Sequence, residues 1–170
     1  LIFSGCRKLK ELNISSFNTS KVKNMSYMFN YCTSLISLNV SSFDTSSVTN
    51  MDSMFQFCQI ITSLDVSSFD TSNVTNMQNM FSHCENLLTL DVSNFNTSKA
   101  SKMKLMFSEC RKITSLDLRN FNTSAATDMS KMFYATVSLT KVTVGSGWIT
   151  ESADVSDMFL GSKISAVTPA

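Results

Sequence analysis

Charge is scarce in this 170-residue chain. Asp, Glu, Lys and Arg make up 16% of it and balance to a net charge of +1. That excludes a general electrostatic grip on nucleic acid or an anionic membrane, both of which need a basic excess. Four glycines and one proline leave little material for a phosphate loop or a loop that cradles a substrate. There is one histidine, His83, and no nucleophile elbow, so the convergent, dissimilar groups of an active site are missing. No apolar run approaches the roughly 18 residues of a membrane-spanning helix. Cysteine pairs are missing too. Cys6, Cys32, Cys58, Cys84 and Cys110 stand 26 residues apart, whereas zinc sites want pairs about two to four apart. Equivalent positions in stacked coils have parallel Cα–Cβ vectors, which suit a disulfide poorly. The expectation is a ladder of buried free thiols packing as small apolar groups, with no metal, no cofactor and no catalysis.

What the chain has is a repeat. Phe3, Phe29, Phe55, Phe81, Phe107, Phe133 and Phe159 are 26 residues apart without insertion or deletion. A strict period is the mark of a stack in which no unit can bury its apolar face alone. The unit Thr33–Cys58 shows the pattern. Leu35, Leu38 and Val40 give L-x-x-L-x-V, with Leu38 and Val40 alternating against Ser37, Asn39 and Ser41. That period of two predicts a short strand, parallel to its neighbours because it recurs. A turn at 41–46 tucks Phe43 inward, and Asp44, Thr45 and Ser46 have the chemistry of helix caps. Val48, Met51, Met54, Phe55 and Cys58 then recur at helical spacing, which predicts a helix of about three turns. The next unit repeats these inward columns as Leu64, Phe69, Met77, Met80, Phe81 and Cys84, as the preceding one does with Phe29 and Cys32.

The fold expected from the residues is therefore an α/β repeat solenoid: right-handed, with one parallel sheet of short strands and one row of short helices. Because helices stack more widely than strands, its sheet face should be concave. Residues 1–144 form the tandem repeats, the first coil truncated because Leu1 falls in mid-repeat. Residues 145–162 read as a degenerate capping coil, in which Gly145-Ser146-Gly147-Trp148 replaces the serine–Phe turn. Residues 163–170 read as an exit or linker.

Candidate binding residues fall in two columns. Asn39, Asp65, Asp91 and Asp117 follow Asn13 as an outward polar row on the strand face, where neighbouring like charges must be hydrated, bonded or balanced. Tyr31, Phe57 and His83 form a short aromatic row between Gly5 and Glu109, in a column that varies while its neighbours repeat; exposed aromatic patches mark contact sites. Lys99, Lys102, Lys104, Arg111, Lys112 and Arg119 make the fifth coil basic.

The pattern C-x-x-L-x-x-L-x-V, a turn, then V-x-x-M-x-x-M-F-x-x-C is similar to that of the BspA-like leucine-rich-repeat surface proteins. Phe43–Phe55 and Phe69–Phe81 match the phrase F-D-T-S-x-V-x-x-M-x-x-M-F in full, and the resemblance covers residues 3–144. It implies a leucine-rich-repeat fold on a bacterial cell surface and adhesion to host or matrix molecules. Two departures stand out. Phe43 and its equivalents hold the place of the asparagine ladder usual in other leucine-rich repeats, and Ala100 and Ala126 replace the valine. Residues and resemblance together suggest a non-enzymatic, monomeric surface module that binds a host or matrix protein or glycan and no nucleic acid. The alternative is a passive spacer that projects another domain.

Overall fold

The computed structural model describes residues 2–170. The chain winds as a stack of 26-residue coils, each bonded to the next by its backbone. Among the described residues there is no helix, and regular strand is confined to three pieces: β1 (Ser115–Leu118), β2 (Lys141–Val144) and β3 (Thr168–Pro169). They form one parallel sheet in the order β1-β2-β3. Ser115 pairs with Lys141, a full repeat on, while Thr143 pairs with Thr168, one residue short of a repeat.

This corrects the expected α/β architecture. It is a repeat-rich β-type fold with no row of helices, and the strand-and-helix coil implied by the leucine-rich-repeat resemblance is not what the chain forms. The run 51–58 shows why. The N–H groups of Met51, Ser53, Phe55 and Phe57 donate to the carbonyls of Asn76, Gln78, Met80 and Ser82 in the next coil at 2.8–3.0 Å, and those of Met54, Gln56 and Cys58 donate back three residues at 3.1–3.2 Å. An α-helix keeps its backbone bonds to itself, so half of these amides are committed elsewhere. Between them the chain turns through left-handed conformations at Ser53 (φ 55°) and Phe57 (φ 61°), which end any helical run. Spacing forbids the helix as well. The inward rings Phe3, Phe29, Phe55, Phe81, Phe107, Phe133 and Phe159 stack at 5.4–5.9 Å, within 9° of parallel. Packed helices need about 8–10 Å. The concave sheet face, which rested on that difference in spacing, goes with the helices.

The parallel sheet is also shorter than expected. In earlier coils the strand segments keep the in–out alternation, and one isolated bridge, Ser63 to Thr89, joins two of them. A second bridge ladder runs along another side, Asn24–Asn50–Asn76–Lys102–Asp128–Asp154.

The interior is continuous through the stack. Phe29, Cys32, Leu35, Leu38, Val40, Phe43, Met51, Met54, Phe55, Cys58, Leu64, Phe69, Met77, Met80, Phe81 and Cys84 all lie within it. Its polar content is ordered as well. Thr19, Thr45, Thr71, Thr97 and Thr123 are buried, and each hydroxyl spans to the next coil. Thr71 Oγ1 donates to the Asn96 carbonyl at 3.0 Å and accepts the Asn96 N–H at 2.8 Å. The thiols of Cys58, Cys84 and Cys110 each donate to a Phe carbonyl of the preceding coil at 3.2–3.3 Å. All five cysteines are free. Burial pushes the Cys110 thiol up to about 12 and Cys32 to about 11, so neither is a ready nucleophile.

Near the C-terminus one extra residue is accommodated by glycine. A Cβ on Gly145 would lie 2.3 Å from the Arg119 carbonyl oxygen, and one on Gly147 2.9 Å from that of Phe121. The slip brings Trp148 to 6.4 Å from Phe133, the place Phe43 takes against Phe29.

Candidate binding surface

The coils turn at three corners, most of them held by an Asx side chain that accepts the N–H two residues on, the Asx-turn chemistry of Asn and Asp; Lys102 stands at the third corner of the fifth coil. One corner is the predicted polar row. Asn39, Asp65, Asp91 and Asp117 accept the N–H of Ser41, Ser67, Ser93 and Arg119 at 2.9–3.1 Å. The second corner uses Asn18, Asp44, Asp70, Asn96 and Asn122. With no helix to cap, these residues hold turns. The third uses Asn24, Asn50, Asn76, Asp128 and Asp154.

The carboxylates of the first corner are thus engaged in holding the backbone. The hydroxyl and N–H of Ser67 keep Asp65 below the usual carboxylate range. For Asp91 the N–H of Ser93 leads, opposed in part by Asp117 and Asp65. For Asp117 the Arg119 guanidinium leads, with Arg119 Nη2 at 2.5 Å. The surface beside them is hollowed: Leu88, Thr89, Asp91, Ser93, Ser115 and Asp117 line an open depression of about 430 Å³. Among the described residues no group of three His, Cys, Asp or Glu is placed to hold a metal ion.

The aromatic row is a different kind of surface. Tyr31 and Phe57 stack at 4.2 Å and 16°, Phe57 and His83 at 4.2 Å and 10°. The Arg7 guanidinium lies 5.4 Å over Tyr31. At the other end Arg111 bonds Glu109 at 2.7 Å and approaches Glu85 at 3.9 Å. Tyr31 is 38% exposed; Phe57 and His83 are half-buried. Burial in the stack lowers the His83 pKa, partly opposed by Glu109 and Glu85, so the imidazole is neutral at pH 7. The backbone of this column is left-handed from end to end: Gly5, Tyr31, Phe57, His83, Glu109, Ala135 and Gly161 all have φ between 54° and 77°. A side chain there costs roughly 1–2 kcal/mol relative to glycine. The column is a built-in feature of the coil, but keeping three aromatic rings in it rather than glycine is a departure from the cheapest sequence.

The two candidate rows are therefore separate surfaces, and the structure brings together residues within each. Two elements were not read from the sequence. Arg7 completes the aromatic row across the coil boundary, a contact visible only once the coils are stacked. The threonines have the chemistry of helix caps in sequence, although a threonine at the same place in five consecutive coils is a signal that its hydroxyl bonds the backbone of the next coil.

The family described as "Mycoplasma protein of unknown function, DUF285" matches the chain over residues 1–88 and again over 57–167. The chain belongs to that family. The two overlapping matches follow from the repeat: DUF285 aligns to this chain in more than one register of coils. No curated protein matches the chain, and no solved structure does. Among the described residues of this DUF285 chain no helix is long and apolar enough to cross a membrane.

Proposed function

We propose that this chain is a non-enzymatic binding module of a bacterial cell-surface protein, related to the BspA-like repeat proteins, and that it adheres as a monomer to a host or matrix macromolecule. The observation that carries this reading is the stacked row Tyr31–Phe57–His83. It occupies the column in which the repeat fails, stays partly open to solvent, and holds side chains where glycine is cheaper. The scaffold supports the reading: successive coils are joined rung by rung, which presents the row on a stiff support, as a binding surface needs. The thiols of Cys32, Cys58, Cys84 and Cys110, buried and raised in pKa by that burial, and the neutral, stacked His83 offer no nucleophile–base pair.

A second reading, the passive spacer, is favoured by that same stiffness and by the absence of unbonded buried side-chain polar atoms among the described residues. The two readings separate in a binding screen against matrix proteins and host receptors, with a variant of scrambled surface as control. Capture above the control supports adhesion. Capture equal to the control leaves the spacer.

A further inference from the structure

The edge of the stack that carries the aromatic row has a charge pattern of its own. Just past the row each coil makes a tight turn, at 7–8 in the first coil and 59–60 in the third, and the side chains leaving it are exposed or partly exposed. In the first coil these are Arg7, Lys8 and Lys10, and in the fifth Arg111 and Lys112. In the three coils between, the same edge is apolar or neutral: Ile36 and Leu88 are each 53% exposed and Ile60 41%, alongside Thr33, Ser34, Thr62 and Asn86. Glu85, the acid of these middle positions, is engaged by Gln59 at 2.9 Å and by Arg111. Glu11 and Glu109 stand at the two ends, the latter paired to Arg111. The edge is thus an apolar strip, flanked by Tyr31, Phe57 and His83, with basic side chains at both ends.

Ring geometry selects the class of partner. Sugars dock by laying C–H groups on an exposed ring face. Here both faces of Phe57 are taken by neighbours at 4.2 Å, and the outer face of Tyr31 is under Arg7. Ring edges and the outer face of His83 are what remain, and the edges carry the positive side of the aromatic quadrupole. From Lys8 to Lys112 is four coil steps, about 19 Å at the ~4.8 Å strand spacing, which about six residues of extended chain span.

We propose that this edge docks an extended protein segment with an apolar centre and acidic ends. The proposal rests on the reading of the chain as a binding module and adds the chemistry of its partner. Lys8, Lys10 and Lys112 meet the acidic ends, and Ile36, Ile60, Leu88 and the ring edges meet the apolar centre.

The test uses fluorescence anisotropy with a labelled, N-acetylated octapeptide: two glutamates, four residues alternating leucine and threonine, two glutamates. The expected result is saturable binding that weakens with salt, at least tenfold weaker binding of the same peptide with lysine for glutamate, and at least tenfold loss in Lys8→Glu/Lys112→Glu. Those two side chains are exposed, so the variant keeps its melting temperature. Lys21→Glu/Lys23→Glu, away from this edge, leaves affinity unchanged. Equal binding of both peptides, or no effect of Lys8→Glu/Lys112→Glu, overturns the proposal. So does binding confined to phosphatidylcholine–phosphatidylglycerol vesicles, which would assign the edge to an anionic lipid surface. A chain that captures a matrix protein in the screen but ignores the acidic peptide overturns this inference and leaves the broader reading standing. Capture of nothing, with the peptide ignored as well, overturns both.

Discussion

Replacing Thr71 by valine removes one hydroxyl from the buried threonine ladder while keeping the shape of the side chain. Thr71 is 1% exposed, and its hydroxyl spans two backbone groups of Asn96, donating at 3.0 Å and accepting at 2.8 Å. Valine leaves that N–H and carbonyl without their partner. An unsatisfied buried polar group costs about 1–3 kcal/mol, and Asn96 itself is exposed on its side-chain face, so water relieves part of the loss. The expected destabilisation is about 2 kcal/mol. Thr71→Ser keeps the hydroxyl and loses a methyl group, at about 1 kcal/mol. Urea unfolding followed by circular dichroism gives both values, and hydrogen exchange locates them. The Asn96 amide should lose protection in the valine variant and keep it in the serine variant, with little change at the two ends of the stack. If valine is as stable as wild type, or serine costs more than valine, the ladder acts by packing and the hydrogen-bond reasoning is wrong.

Phe81→Ala removes a ring stacked on Phe55 at 5.8 Å and Phe107 at 5.9 Å; it should cost about 3–5 kcal/mol in the same unfolding assay. Gly145→Ala places a Cβ 2.3 Å from the Arg119 carbonyl oxygen, so a loss of about 1–3 kcal/mol, with faster amide exchange in β2, is expected. Asp44, Asp65, Asp70, Asp91, Asp117 and Asp154 all titrate below the ordinary carboxylate range. Their stabilisation is present above the unfolded value of about 3.9 and is lost as pH falls through the lower folded values. The melting temperature should therefore drop below about pH 4, and Asp44→Asn should blunt that drop yet leave pH 7 unchanged, because Asn18 and Asn96 make the same turn. His83 is a base held below its ordinary value of about 6.5, so the stability it allows is present above that pH and declines below it as the unfolded chain takes the proton first. His83→Phe should flatten the melting temperature between pH 7 and 5.

The period, the inward columns and the stack itself were legible because Phe, Met and Cys recur without drift, and only one arrangement makes such columns face their own copies. The helix was misread for a definite reason. Met51, Met54, Phe55 and Cys58 satisfy a helical stripe and a run of tight turns equally well, since both bring those four side chains to one side. What separates the two is the rise per coil, and that is set by inter-coil amide bonds that a single unit does not reveal. Hints were present: Ser53 and Asn79 in a left-handed column, Gly5 and Gly161 at the ends of the other, and Asn24, Asn50 and Asn76 aligned for a bridge ladder. Of the two candidate rows, the aromatic one could be located because it breaks the repeat. Its stacked geometry could not, because parallel rings at 4.2 Å follow from a strand-like rise and would not arise between helices. The polar row, expected on an open strand face, is tied to the backbone two residues on; that attachment belongs to the turn, which sequence spacing alone does not separate from a free carboxylate.

The measurement that bears most directly on the account is binding by the variant Tyr31→Ser/Phe57→Ser/His83→Ser beside wild type, on whichever matrix or host protein the screen captures. All three side chains are partly open and outside the buried core, so the variant should keep its fold by circular dichroism. The account expects at least a tenfold loss of affinity, with Asp65→Asn/Asp91→Asn close to wild type. Unchanged affinity in the triple variant, with the loss in the aspartate variant instead, would contradict it and move the site to the polar corner.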